Sequence, residues 1–108
     1  MKILIAEDDI HIRNGLAEIL SREGYQTLVA ENGAVALERY RRDKPDFIIL
    51  DIMMPELDGY SVCREIRKEN DVIPIIFLSA KDEEIDRVVG LELGADDYIS
   101  KPFGMHEI

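Results

Sequence analysis

The sequence has 108 residues, 46% hydrophobic and 33% charged, a length and composition that fit one soluble globular domain with a single core. Its net charge is −10, from 13 basic and 23 acidic side chains, so we expect this segment to repel nucleic acid and anionic membranes. No apolar run approaches the roughly 18 residues of a membrane span, and the N-terminal residues do not resemble a signal peptide.

The only cysteine, Cys63, has no partner for an internal disulfide, which is typical of a protein in the reducing cytoplasm. It shares one face of a predicted helix with Val62 and Ile66. We therefore expect a buried and chemically inert thiol.

Apolar runs alternate with amphipathic segments along the whole chain, a pattern typical of βα repeats and a parallel sheet. Runs such as residues 75–78 are continuously apolar, as in strands that helices cover on both faces. Strands are predicted at residues 2–6, 26–30, 47–51, 75–79 and 97–100, and helices at 10–22, 33–42, 59–69 and 82–93. The predicted fold is α/β, a doubly wound sheet of five parallel strands.

Cap and turn residues bound the predicted helices. Gly24 is a stop signal for the first helix, Asn32-Gly33 is a loop or helix-start signal, and Asp58 is a candidate N-cap for the third helix. The fourth helix is bounded by Asp82 and Gly94.

A fifth helix is expected after Phe103, with Gly104 near its N-cap and Glu107 in its first turn. Residue 108 falls before such a helix can bury anything. We therefore expect residues 1–108 to be one domain cut at the start of its last helix, without an output domain, and less stable or prone to self-association.

Carboxylates follow the first and third predicted strands, at the points where those strands end. Glu7 and Asp8 come after the first strand, and Asp51 closes the third. The carboxyl ends of parallel strands meet at the edge where open α/β sheets bind ligands. A hard divalent cation would relieve the repulsion between these groups. We predict that Asp8, Asp51 and the backbone carbonyl of Met53 bind Mg²⁺ directly, and that Glu7 binds it through water.

The acidic residues also have a purely structural interpretation. Glu7, Asp8 and Asp9 precede a helix, and negative charge favours a helix N-terminus. Asp9, one position further along, is assigned mainly to this capping role.

Two polar side chains follow later strands. Lys101 can hold a phosphoryl oxygen as a point charge, although a lysine before a proline is most often a surface residue. Ser79 ends the fourth strand, and its hydroxyl either bonds a phosphoryl oxygen or caps the next helix. The sequence leaves both interpretations open. Lys101-Pro102 is a candidate cis bond that the sequence does not settle.

These motifs, in this order, resemble the receiver domain of bacterial two-component response regulators. The resemblance covers the whole chain and rests on Glu7-Asp8, on Asp51 with the following Met53-Met54-Pro55 and Asp58-Gly59, on Ser79-Ala80, and on Lys101-Pro102-Phe103. It implies the flavodoxin-like strand order 2-1-3-4-5. It also implies that Asp51 accepts a phosphoryl group from a phosphohistidine of a sensor histidine kinase, with Mg²⁺ or Mn²⁺ as cofactor and Lys101 and Ser79 assisting.

The resemblance further implies a switch. Phosphorylation of Asp51 would draw Ser79 towards it and turn Tyr98 inward, which connects the site to the surface of the fourth helix and fifth strand. Met53 and Lys81 match positions that flank the phosphoryl group and tune its hydrolysis.

Residues 90–98 are similar to the winged-helix (OmpR/PhoB-type) transcription regulators. In that subfamily the phosphorylated form is a homodimer, and its output comes from a DNA-binding domain outside the receiver. The positions here that match its charged dimer surface are Arg87, Asp96, Asp97 and Glu107. If the family resemblance is set aside, Asp96-Asp97 is simply part of a charged edge strand, which discourages aggregation.

Other classes compete with this hypothesis. A phosphatase of the haloacid dehalogenase type would carry Asp-x-Asp, but the residue two after Asp51 is Met53. An unphosphorylated interaction module with the same fold would be expected to lack an acidic residue or Lys101, and all are present. A nucleotide-binding fold lacks support because no glycine-rich phosphate motif occurs.

Two positions depart from the most common receiver pattern, with Glu7 in place of an aspartate and Ser79 in place of a threonine. Both are ordinary variants. The sequence indicates a switch that catalyses only its own phosphorylation and dephosphorylation, and not an enzyme with an external substrate.

Overall fold

The computed structural model describes the backbone of residues 1–79 and 97–100 and the side chains of residues 1–78. Strands and helices alternate through this part of the chain. The elements are β1 Lys2–Ala6, α1 Ile10–Arg22, β2 Gln26–Ala30, α2 Gly33–Asp43, β3 Phe47–Asp51, α3 Gly59–Glu69, β4 Ile75–Ser79 and β5 Asp97–Ser100.

The five predicted strands and the helices predicted at 10–22 and 59–69 are confirmed at both ends. The prediction for α2 ended one residue early, because the helix continues through Asp43 to a C-cap at Lys44. Lys44 has a left-handed backbone with φ of 48°. It also precedes Pro45, which disfavours a helical conformation at Lys44 and so stops the helix there. The helix predicted at 82–93 and the expected fifth helix lie outside the described residues.

The sheet has the strand order β2-β1-β3-β4-β5, and every pair of neighbouring strands is parallel. This confirms the doubly wound, flavodoxin-like order 2-1-3-4-5. Because all strands point the same way, the residues that follow β1 and β3 come out at one edge. The register places Ala6 beside Leu50 and Asp51 beside Leu78 at that edge.

Apolar side chains pack on both faces of the sheet. On one face Leu4, Ile48, Leu50, Ile75 and Phe77 join a cluster with buried residues of α2 and α3. On the other face a smaller cluster packs against α1; its buried members are Ile3, Ile5, Leu16, Ile49 and Leu78. Burial on both faces explains why β1, β3 and β4 are apolar at nearly every position.

The cysteine belongs to the larger of these clusters. Cys63 is 0% exposed and lies on the buried face of α3 with Val62 and Ile66, so the predicted buried thiol is confirmed. Among the described residues, no helix is both long and apolar enough to cross a membrane.

A side chain caps the N-terminus of each of the three described helices, at the carboxyl edge of the sheet. Asp9 accepts hydrogen bonds from the backbone N–H groups of His11 and Ile12, at 2.9 and 3.3 Å. Its predicted capping role is therefore confirmed. Asn32 caps α2, and Asp58 caps α3 by accepting a 2.8 Å bond from the N–H of Ser61.

Loss of the α3 cap should lower stability modestly. We expect Asp58→Ala to reduce the free energy of unfolding by about 1 kcal/mol, because an orphan N–H of the first turn loses its acceptor. Asp58→Ser is the matched control, since serine caps about as well as aspartate. Urea denaturation of both variants measures the difference, and equal midpoints for Asp58→Ala and the wild type would contradict this role.

Candidate functional site

Three carboxylates meet at the carboxyl edge of the sheet. Glu7 and Asp8 follow β1, and Asp51 is the last residue of the neighbouring β3. One oxygen from each of these residues lies within 4.8 Å of the other two. Glu7 is 0% exposed and Asp51 2% exposed, whereas Asp8 is exposed to solvent. The structure thus brings together all three acidic residues that the sequence assigned to a metal site.

The chemistry of this donor set fits a hard divalent cation. Three carboxylates at this spacing repel one another, and burial of two of them removes much of the screening by water. All the side-chain donors are oxygens, the ligands that Mg²⁺ and Mn²⁺ prefer. The exposed position of Asp8 leaves one side open, which suits an ion that keeps several waters.

The end of β3 is held in place by β4 and by the start of α3. The N–H of Ile52 donates to the carbonyl of Leu78 at 3.0 Å, and the N–H of Gly59 donates to the carbonyl of Ile52 at 2.9 Å. A Cβ at Gly59 would lie 2.2 Å from the carbonyl oxygen of Asp51. Only glycine therefore lets α3 start directly against the backbone of Asp51.

The outer part of the loop between β3 and α3 rests on the first turn of α2. The N–H of Leu57 donates to the carbonyl of Pro55 at 2.8 Å, and Glu56 between them has φ of +71°, as in a γ-turn. A Cβ at Gly33 would lie 1.7 Å from the carbonyl oxygen of Leu57. The loop that carries Met53 thus packs directly against Gly33.

Three residues that shape this edge were not assigned to the site from the sequence. Gly33 was interpreted as a loop or helix-start signal and Gly59 only as part of the Asp58-Gly59 motif. Their close contacts with Leu57 and Asp51 join separate segments of the chain. The third is Arg13, whose guanidinium donates to the carbonyl of Glu7 at 3.0 Å. No local signal in the sequence points to that bond.

The other predicted site residues lie in the loop after β3, on β4 and β5, or outside the described part of the chain. Met53 is in the loop after β3 with 73% of its surface exposed. Ser79 ends β4, directly after Leu78, the register partner of Asp51. In β5, Asp97 pairs with Ile76 and Tyr98 with Phe77. Outside the described residues lie Lys81, Arg87, Asp96, Lys101 and Glu107.

Comparison with known proteins identifies a family. A family model described as "Response regulator receiver domain" matches residues 3–108. The alkaline phosphatase synthesis transcriptional regulatory protein PhoP of Bacillus subtilis is 48% identical over 107 residues, which are 99% of this chain and 45% of PhoP. The chain spans about half the length of the curated relatives it matches.

Solved structures agree with this result. The receiver domain of the Francisella response regulator 1452 has a TM-score of 0.91 and 40% identity, covering 98% of this chain and 88% of that one. The BeF3-activated N-terminal receiver domain of Klebsiella pneumoniae RstA has a TM-score of 0.90 and 36% identity. The match covers 96% of this chain and 88% of the RstA domain.

The resemblance predicted from the sequence motifs is therefore confirmed. The relatives include a transcriptional regulator by name, in agreement with the subfamily that residues 90–98 resemble. From the matched residues and the shared fold, the chain belongs to the response regulator receiver domain family.

Proposed function

We propose that this chain is the phosphoacceptor switch of a two-component phosphorelay and that Asp51 takes a phosphoryl group from a sensor histidine kinase. The observation that carries the proposal is the position of Asp51 at the end of β3, with one oxygen within 4.8 Å of oxygens of both Glu7 and Asp8. Membership of the receiver family supplies the reaction class. The matching RstA receiver is described as activated by BeF3.

In the proposed reaction an Asp51 carboxylate oxygen attacks the phosphorus of the donor phosphohistidine. A P–O bond forms while the P–N bond breaks, and the electron pair of that bond leaves with the imidazole nitrogen. The backbone bonds of Ile52 and Gly59 hold the main chain next to Asp51 in place, which limits the backbone ordering needed at the moment of attack.

Mg²⁺ or Mn²⁺ would be held by the carboxylates of Asp8 and Asp51 and the backbone carbonyl of Met53, with Glu7 acting through water. When bound, the ion supplies positive charge that offsets the charge on the phosphoryl oxygens. Lys101 would bind another of those oxygens as a point charge. Ser79, one residue beyond the register partner of Asp51, would donate its hydroxyl to the phosphoryl group.

The switch would then run through β4 and β5. Ser79 moves towards the phosphoryl group, and Tyr98 turns inward to occupy the space released, which biases the protein towards a second packing of the helix 4–strand 5 surface. Met53 and Lys81 would tune the hydrolysis of the aspartyl phosphate. The 73% exposure of Met53 beside Asp51 supports its part in this role.

The output would be transcription by a DNA-binding domain outside this segment. The regulator name of PhoP and the net charge of −10 support this arrangement, since an acidic receiver does not attract DNA. In that full-length form, the phosphorylated receivers would pair through the helix 4–strand 5 face. The dimer surface would consist of Arg87, Asp96, Asp97 and Glu107.

The proposal is tested with a small phosphodonor such as phosphoramidate. The chain is incubated with the donor in Mg²⁺, in Mn²⁺ and in a chelator, and intact mass is followed with time. We expect one phosphoryl group with either ion and little or none with the chelator. No adduct under any condition would favour an unphosphorylated interaction module instead.

Lys101→Ala should separate catalysis and signalling from metal binding. We expect the variant to bind Mg²⁺ nearly as well as the wild type, because the lysine is not a ligand. Its phosphoryl group should fail to bring about dimerisation, because the link to Tyr98 is broken. Calorimetry measures the first property, and sizing of the phosphorylated full-length form measures the second. Normal dimerisation of the phosphorylated variant would show that the role assigned to Lys101 is wrong.

A further inference from the structure

Arg13 bonds to both residues that flank Asp8. Its guanidinium Nη1 donates to the backbone carbonyl of Glu7 at 3.0 Å, and its backbone N–H donates to the carbonyl of Asp9 at 2.9 Å. One residue in the first turn of α1 therefore joins the start and the end of the Glu7–Asp9 turn.

The other bonds of this turn leave Asp8 as its least restrained acidic side chain. The N–H of Glu7 donates to the carbonyl of Ala30 in β2 at 3.0 Å, and Glu7 is fully buried. The Asp9 carboxylate is engaged in the α1 cap. Asp8, by contrast, is exposed to solvent, so its direction depends on the backbone from which it projects.

The bond to the Glu7 carbonyl acts on that backbone. The carbonyl of Glu7 and the N–H of Asp8 belong to one planar peptide unit. A guanidinium that holds the carbonyl therefore restrains this peptide plane, and with it the backbone from which the Asp8 side chain projects. A charge-assisted donor holds this orientation more firmly than a neutral one would.

We propose that Arg13 is a positioning residue for the divalent-cation site, which it serves by holding the Glu7–Asp8 peptide so that the Asp8 carboxylate stays beside Asp51. This inference rests on the proposed function, because it takes the three carboxylates to be the Mg²⁺ site. In this role Arg13 would touch neither the ion nor the phosphoryl group, because its guanidinium is engaged with the backbone carbonyl of Glu7. It acts on a ligand through the backbone, as partners of metal ligands commonly do.

Three possible roles for Arg13 predict different Mg²⁺ affinities once its guanidinium is removed. If the guanidinium acted mainly as a positive charge near the carboxylates, it would repel the ion, and its removal would tighten binding. If it served only the fold, its removal would lower the free energy of unfolding and leave the affinity of the folded chain unchanged. A positioning residue predicts weaker binding, because the ion must then order the Asp8 carboxylate as it binds.

The test is a calorimetric Mg²⁺ titration of Arg13→Met, which keeps most of the apolar stem and removes the donors. Arg22→Met is the matched control, since Arg22 lies in the same helix and pairs only with Glu18 among the described residues, with its side chain 73% exposed. We expect the dissociation constant to rise about 10-fold for Arg13→Met. The Arg22→Met variant should bind like the wild type.

Urea denaturation accompanies each titration, so that affinities are compared for folded chains. If Arg13→Met folds poorly, Arg13→Ala serves in its place, since alanine also removes the side-chain donors and is well tolerated in a helix. Unchanged or tighter Mg²⁺ binding by a folded Arg13 variant would overturn the proposal and leave the phosphoacceptor function standing. A wild-type chain that binds no Mg²⁺ would overturn both.

Discussion

Asp51→Asn should abolish phosphoryl acceptance while leaving the fold intact. The amide has nearly the shape of the carboxylate but no anionic oxygen to attack phosphorus. Because Asp51 is 2% exposed and lies among carboxylates, removal of its charge also relieves repulsion. We therefore expect a free energy of unfolding equal to or above that of the wild type, together with weaker Mg²⁺ binding.

Intact mass after incubation with phosphodonor and Mg²⁺ gives the extent of acceptance, and urea denaturation gives the stability. Asp71→Asn is the matched control, because it makes the same chemical change at an exposed aspartate between α3 and β4. It should accept a phosphoryl group as the wild type does. Continued acceptance by Asp51→Asn would place the phosphorylation site on another residue.

Gly33→Ala should have the largest effect on stability among the substitutions considered. The added Cβ would lie 1.7 Å from the Leu57 carbonyl oxygen and 2.5 Å from its carbon, both backbone atoms of the loop after β3. Because neither atom can rotate away, the loop or the helix must shift. We expect a loss of about 3 kcal/mol in the free energy of unfolding, at the upper end of the usual cost of overpacking. Mg²⁺ binding should also weaken, because the same loop carries Met53.

Gly24→Ala separates steric collision from backbone strain. Gly24 has φ of +94°, and no atom lies within 4 Å of the position that its Cβ would take. This substitution should cost only about 1 kcal/mol, through strain alone, and leave Mg²⁺ binding unchanged. Urea denaturation and Mg²⁺ titration of both variants measure the contrast. Equal stability of Gly33→Ala and the wild type would mean that the loop accommodates the methyl group and does not depend on this contact.

The strands and helix starts were predictable because their signals are local. Strands β1, β3 and β4 are short apolar runs between polar or turn residues, and Asp9 and Asp58 are side-chain caps whose chemistry marks where a helix begins. The end of α2 was misplaced by one residue because a lysine, Lys44, takes the left-handed position that glycine usually signals.

The candidate site was predictable to the extent that strand direction determines it. Parallel order alone brings Glu7, Asp8 and Asp51 to one edge, and the structure brings them together there. The contacts that hold this edge in place were not predictable, because they join residues far apart in the sequence. Gly33 meets Leu57, for example, and the burial of Glu7 depends on neighbours from other elements. The roles of Ser79, Tyr98 and Lys101 remain predictions from the family resemblance.

The central claim is that the phosphoryl group is carried by Asp51, and chemical trapping tests it most directly. The chain is phosphorylated with a small donor and Mg²⁺ and reduced with borohydride, which converts an aspartyl phosphate to homoserine, and its peptides are then sequenced by mass spectrometry. We predict that homoserine replaces Asp51 and that every other aspartate remains unchanged. Homoserine at another position, or a stable phosphate on a serine or histidine in place of an acyl phosphate, would contradict the account.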